Sequence, residues 1–196
     1  MPQTEGRTVR VRSGELHGAL VFEPTPVHDE RGFFTRTFDV AVAAAAGLDP
    51  DSLVQDSQSR SSYAVVRGLH VRTDGGEGKL VRCSYGRVFD VAVDLRPTSP
   101  TFRRWQAFEL DDKDHRSVWL PRGLAHGFQV LSDVADVCYR IDRVYEPGFD
   151  ATVRWDDPEL AVPWPLPVST MSARDRTAPL LADLAEQLPT WFADPP

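Results

Sequence analysis

A mainly β fold, a sandwich or barrel of short strands, is the class this sequence predicts. Three observations carry that reading. Short runs rich in β-branched and aromatic residues recur along most of the chain, turn formers separate them, and only two segments repeat apolar residues at helical spacing.

In chain order, strands are predicted at 9–11 and 19–22, both short and apolar. The cluster Asp29-Glu30-Arg31-Gly32 then turns the chain into an aromatic run at 33–38. Segment 39–47 is predicted helical, an alanine run stopped by Gly47. Strand 64–71 follows, and Asp74-Gly75-Gly76 makes the turn into 79–84. Tyr85-Gly86 separates that strand from 88–95, and further strands are predicted at 105–110 and 117–120. Arg122-Gly123 precedes the last two, 127–131 and 137–144. Pro158, Pro163, Pro165 and Pro167 predict an extended strap, because proline has no amide hydrogen to give a ladder. A second helix at 178–188 rests on the spacing of Leu180, Leu181, Leu184 and Leu188. No repeat or linker interrupts the pattern, so residues 1–196 are expected to form a single domain.

Composition narrows the function. With 41% hydrophobic and 26% charged residues the chain has the balance of a globular protein. A net charge of −7 opposes general nucleic-acid binding, which needs a basic face. Cys83 and Cys138, far apart and set in apolar runs, read as buried free thiols of a cytoplasmic protein. The N-terminus has no apolar signal core, and no stretch reaches the roughly 18 apolar residues of a membrane span.

The chemistry concentrates in Arg67-Gly68-Leu69-His70, in Lys79, and in 121–128, where Pro121-x-Gly123-x-x-His126 stands. Metal-binding cupins pair a His-x-His with such a second half. Here Arg72 occupies the position two after His70, and a guanidinium cannot ligate. Two histidines fall short of the three or four ligands of a transition-metal site, so no metal is expected. No Gly-x-Gly-x-x-Gly follows a strand, so no nicotinamide cofactor is expected either.

Ordered matches across roughly residues 20 to 180 resemble the dTDP-4-dehydrorhamnose 3,5-epimerase family. They include Asp29-x-Arg31-Gly32-x-Phe34, Gln55-x-Ser57-x-Ser59, Arg67-Gly68-Leu69-His70, Lys79-Leu80-Val81-Arg82 and Ser99-Pro100-Thr101-Phe102. Tyr139, Tyr145, Trp155-Asp156-Asp157-Pro158 and Met171-Ser172-Ala173-Arg174-Asp175 complete the series. The resemblance implies a cupin-like double-stranded β-helix, a jelly-roll barrel with short peripheral helices, one of them C-terminal. It implies cofactor-free epimerisation of a dTDP-linked 4-keto-6-deoxyhexose at C3, C5 or both, by a homodimer. A 3,4-ketoisomerase on the same fold, or a catalytically silent sugar-nucleotide-binding cupin, are the alternatives.

Inverting a carbon beside a ketone needs a base on one face, a group to steady the enolate, and an acid on the other face. Histidine suits the base, since imidazole ordinarily titrates near a pKa of about 6.5, and His70 is placed in that role. By resemblance Asp175 orients it, Lys79 faces the enolate and Tyr139 is the acid. Asp90, a carboxylate within an apolar run, requires a partner, for which Lys79 is the expected one. His126 and Tyr145 are expected at the sugar. Arg31 and Arg67 resemble diphosphate contacts, Phe34 borders the base, and Gln55, Ser57, Ser59 and Arg72 complete the substrate-binding set.

Two departures stand out. Arg36 occupies a position where the family commonly carries an acid, and Val71 and Arg72 replace an aromatic residue and a glutamine. Strand alternation sets a geometric condition: Arg67, three residues from His70, shares its cavity only if the strand bulges near Gly68.

Overall fold

The computed structural model describes residues 9–193. Thirteen strands are assigned there: β1 (Val9–Ser13), β2 (Leu20–Pro24), β3 (Val27–Asp29), β4 (Gly32–Phe34), β5 (Gln55–Ser62), β6 (Val66–Arg72), β7 (Lys79–Tyr85), β8 (Arg87–Asp94), β9 (Trp105–Asp111), β10 (Ser117–Leu120), β11 (Leu124–Val130), β12 (Val134–Ile141) and β13 (Asp150–Thr152). Four short helices join them: α1 (Val40–Ala45), α2 (Ala173–Arg176), α3 (Leu181–Leu184) and α4 (Leu188–Trp191).

Two antiparallel sheets carry the architecture. One runs β1-β2-β10-β7-β12-β5, the other β13-β6-β11-β8-β9, and β3 and β4 form a separate hairpin. Val81, Val118 and Val137 of the first sheet pack with Val88, Ala92, Phe108 and Phe128 of the second in one buried cluster, so the sheets face each other. The outer faces are covered too. Leu69, Val71, Val91 and Val93 lie under Leu160, Val162, Leu181, Leu184 and Leu188 of the C-terminal segment. On the other sheet, Phe22 and Leu80 lie under Ala43 of α1 and Leu48. Apolar residues on both faces explain why β8 reads as a near-continuous hydrophobic run.

Several elements differ from expectation, each for a local reason. The aromatic run at 33–38 is strand only to Phe34. Beyond it Asp39 caps α1, accepting from the amides of Ala41 and Val42 and pairing with Arg36 at 2.6 Å. Strand β5 was not foreseen because Gln55-Asp56-Ser57-Gln58-Ser59-Arg60-Ser61-Ser62 has no apolar alternation. It is an edge strand, laddered to β12 along its whole length, and its half-buried residues are polar. Strand β13 is three residues long, too short to show a period. The helix expected at 178–188 is two single turns, α3 and α4. Leu181, Leu184 and Leu188 are buried as their spacing requires, but Pro189 fits the first turn of a new helix and not the interior of an old one. Cys83 and Cys138 are free and buried, as expected. Among the described residues no helix is long and apolar enough to cross a membrane.

Candidate active site

The site is built on one row of the second sheet. His70 on β6 lies directly opposite His126 on β11 and opposite Thr152 on β13, so the three side chains share the face turned toward the first sheet. Leu69 and Val71, with opposite parity, enter the outer cluster.

The bulge that strand alternation demanded is present. Between the pairs His126↔His70 and Phe128↔Arg67, β11 advances two residues while β6 advances three. The extra residue turns Arg67 to the His70 side. Glycine permits it: Gly68 has φ +123°, and an added Cβ would meet Gly127 Cα at 2.5 Å and the His126 carbonyl oxygen at 2.8 Å. Backbone on both sides leaves no room for a side chain.

Arg67, His70, His126, Lys79, Tyr139 and Tyr145 line a common cavity of about 250 Å³. His70 and His126 come from one sheet; Lys79 on β7 and Tyr139 on β12 come from the other. The candidate base and the candidate acid therefore stand on opposite walls. A cleft of about 550 Å³ shares Arg67, His70 and Arg174 with this cavity and widens its mouth.

Each histidine has its own carboxylate. His70 Nε2 is 2.8 Å from Asp175 Oδ1, whose other oxygen accepts from the Gly68 amide at 3.3 Å. Asp175 is delivered by α2, a single turn capped by Ser172, whose Oγ accepts from the Asp175 amide at 3.0 Å. Burial works against the charge on Asp175. The bonds from His70, Gly68 and Ser172, with the attraction of the imidazole, outweigh it and hold the carboxyl below the usual carboxylate range. His126 Nε2 is 2.8 Å from Asp90 Oδ2, and Asp90 is fully buried, its Oδ1 finding no partner among the described residues.

That pairing corrects one expectation. Asp90 is held by His126, and Lys79 is held by Glu77, with Nζ 2.8 Å from Oε1. The reason lies in register: Asp90 is directly opposite Phe128 on β11, one alternation from His126 on the same face, whereas Lys79 belongs to the facing sheet.

Other expected residues are placed elsewhere. Arg72 is buried outside the cavity, its guanidinium clamped on both oxygens of Asp74 at 2.6 and 2.9 Å and on the Val144 carbonyl at 2.7 Å. Arg31 sits on the exposed β3–β4 hairpin, paired with Asp29 at 2.5 Å, and Phe34 is half-exposed beside it, both away from this cavity. Gln55, Ser57 and Ser59 do not line the cavity. Ser57 is the cross-strand neighbour of Tyr139, and Gln55 Oε1 accepts from the Tyr145 amide at 2.9 Å. Glu77, Arg174 and Asp150 also line the cavity and were not foreseen. Glu77 lies two residues before Lys79 and Arg174 is next to Asp175, and those recognised positions were the available signal. Asp150 lies on the strand too short to detect. Among the described residues no three His, Cys, Asp or Glu side chains are grouped to hold a metal ion.

A cupin-like two-sheet scaffold with acid–base side chains on both walls of one cavity is the arrangement of an isomerase. The family model described as dTDP-4-dehydrorhamnose 3,5-epimerase matches residues 13–183. The chain belongs to that family. It is 42% identical to a dTDP-4-dehydrorhamnose 3,5-epimerase of Pseudomonas aeruginosa over 84% of this chain and 91% of that one. It is 40% identical to a dTDP-4-dehydrorhamnose 3-epimerase of Streptomyces niveus over 93% and 90%. The structure of a dTDP-6-deoxy-D-glucose-3,5-epimerase from Legionella pneumophila, in complex with dTDP-4-keto-L-rhamnose, superposes with a TM-score of 0.87 at 38% identity, covering 92% of this chain and 97% of that one.

Proposed function

We propose that this protein epimerises a dTDP-linked 4-keto-6-deoxyhexose at C3, C5 or both through an enolate, with His70 as base and Tyr139 as acid. The observation that carries the reading is the placement of these two groups on opposite walls of one cavity, with Lys79 between the sheets beside them. With Nε2–H donated to Asp175, His70 Nδ1 holds the lone pair that takes the proton from the carbon beside the ketone. The electron pair left behind moves onto the ketone oxygen, and the Lys79 ammonium faces that charge. Tyr139 gives its phenolic proton to the opposite face of the carbon, and the electrons return to restore the ketone. Solvent reprotonates the phenolate and takes the proton from His70, so no net atom is gained or lost.

Arg67 and Arg174, both at the junction of cavity and cleft, suit the diphosphate, since guanidinium forks match phosphate oxygens. In this reading Arg31 and Phe34 serve a substrate bound to a second copy of the chain, because their hairpin lies away from their own His70. A homodimer in which each hairpin covers its partner's cleft accommodates both. Light scattering should then give a mass of two chains, and a monomer at working concentration would remove Arg31 and Phe34 from the site. Two buried free thiols suit the reducing cytoplasm.

The experiment that tests the reaction is incubation of a dTDP-4-keto-6-deoxyhexose in D2O with NMR detection. Deuterium should enter C3, C5 or both, with inversion at the same carbon. Exchange confined to C3 would align the chain with the Streptomyces niveus relative; no exchange at either carbon would end the reading.

A further inference from the structure

We propose that Glu77 is a positioning residue for the reaction, fixing the Lys79 ammonium in the cavity wall where the enolate charge collects. The proposal rests on the epimerase reading above and adds to it a group that reading does not use.

Three observations support it. First, Glu77 Oε1 lies 2.8 Å from Lys79 Nζ, and both side chains are largely shielded, 17% and 10% exposed. A shielded pair keeps a single geometry far better than a surface pair, which fluctuates in water.

Second, the backbone between them is clamped. The Gly78 amide donates to Asp142 Oδ1 at 2.7 Å, and a Cβ at residue 78 would meet the Trp119 ring at 2.3 Å. Asp142 is itself held by Arg122 Nε at 2.8 Å. One residue earlier than Glu77, Gly76 has φ +78°, and a Cβ there would meet the Gly123 amide nitrogen at 2.4 Å. The segment that carries Glu77 is thus wedged against the Arg122-Gly123 turn, and the carboxylate has a fixed place from which to hold Lys79.

Third, the chain has 22 basic residues and only two are lysines, Lys79 and Lys113. Lys113 is exposed. Lys79 alone puts an ammonium on a flexible four-carbon stem inside the cavity. An ammonium has three donors, enough to face both the paired Glu77 carboxylate and the substrate oxygen. A carboxylate so close also weakens the field at the enolate, so its benefit is positional. Placement within a fraction of an ångström is worth up to about 100-fold in rate.

The test uses Glu77→Ala and Glu77→Gln in the full chain, with steady-state kinetics and 15N NMR of the lysine ammonium groups, of which the chain has two. In Glu77→Ala, kcat should fall roughly 10- to 100-fold with KM within about twofold of the parent. Glu77→Gln, which keeps an oxygen beside the ammonium, should recover most of that loss. The Lys79 ammonium signal should be slowly exchanging in the parent and in Glu77→Gln, and lost to fast exchange in Glu77→Ala. A parent-like kcat in Glu77→Ala, or a loss carried wholly by KM, would overturn the proposal, the second by making Glu77 a sugar-hydroxyl contact. If Glu77→Ala does not fold, the parent spectrum decides: an ammonium at Lys79 exchanging as fast as that of Lys113 also overturns it. Should the parent enzyme move no substrate hydrogen, the epimerase reading fails by itself, while the ammonium spectrum still decides whether Glu77 holds Lys79.

Discussion

His70→Ala should reduce deuterium wash-in at the carbon it serves by roughly a thousandfold, within the range of 10²–10⁴ that a positioned general base contributes. The imidazole is oriented by the Asp175 carboxylate and is the more exposed of the two cavity histidines. His126 does not replace it, because its side chain is buried, 8% exposed against 40% for His70, and its ring sits one strand away. Binding of dTDP should be nearly unchanged, since Arg67 and Arg174 remain. The comparison to run is wash-in by NMR against dTDP affinity by calorimetry. Wash-in that survives in His70→Ala at more than a tenth of the parent rate would assign the base to another residue.

Tyr139→Phe should separate exchange from inversion. The phenol stands on the wall opposite His70, its ring packed against the buried core, so removal of one oxygen leaves the wall in place. His70 still removes and returns a proton on its own face, and wash-in should continue within about tenfold of the parent. Delivery to the other face loses its donor, so formation of the inverted product should fall roughly a hundredfold. Both readouts come from the same NMR time course. An equal loss of exchange and inversion would contradict the assignment of one face to each residue.

How much of this was legible depends on what each residue's neighbours in sequence reveal. The strands with apolar runs or apolar alternation, β2, β6, β7, β8 and β9, were readable because burial selects residue type. Strand β5 was not, because an edge strand with a polar inner face carries no hydropathic signal, although it supplies the neighbours of Tyr139. The bulge at Gly68 was readable as a condition: chemistry needed Arg67 and His70 on one face, and alternation forbade it in a regular strand. The partner of Asp90 was not, since need for a counter-charge does not say from which strand it comes.

The sequence by itself determined the class of fold, the family and the residue types the chemistry requires, because burial pattern and local motifs are written in consecutive residues. Family resemblance already paired His70 with Asp175, 105 positions apart, and tertiary structure alone decided the others: His126 with Asp90, and Lys79 with Glu77 and not Asp90. It also decided that Arg72 pairs with Asp74, and that Arg31 and Phe34 lie away from the cavity. The physical reason is that an ion pair or hydrogen bond is fixed by strand register and by which sheet a residue belongs to. Both follow from how distant strands align, and no local stretch of sequence specifies that.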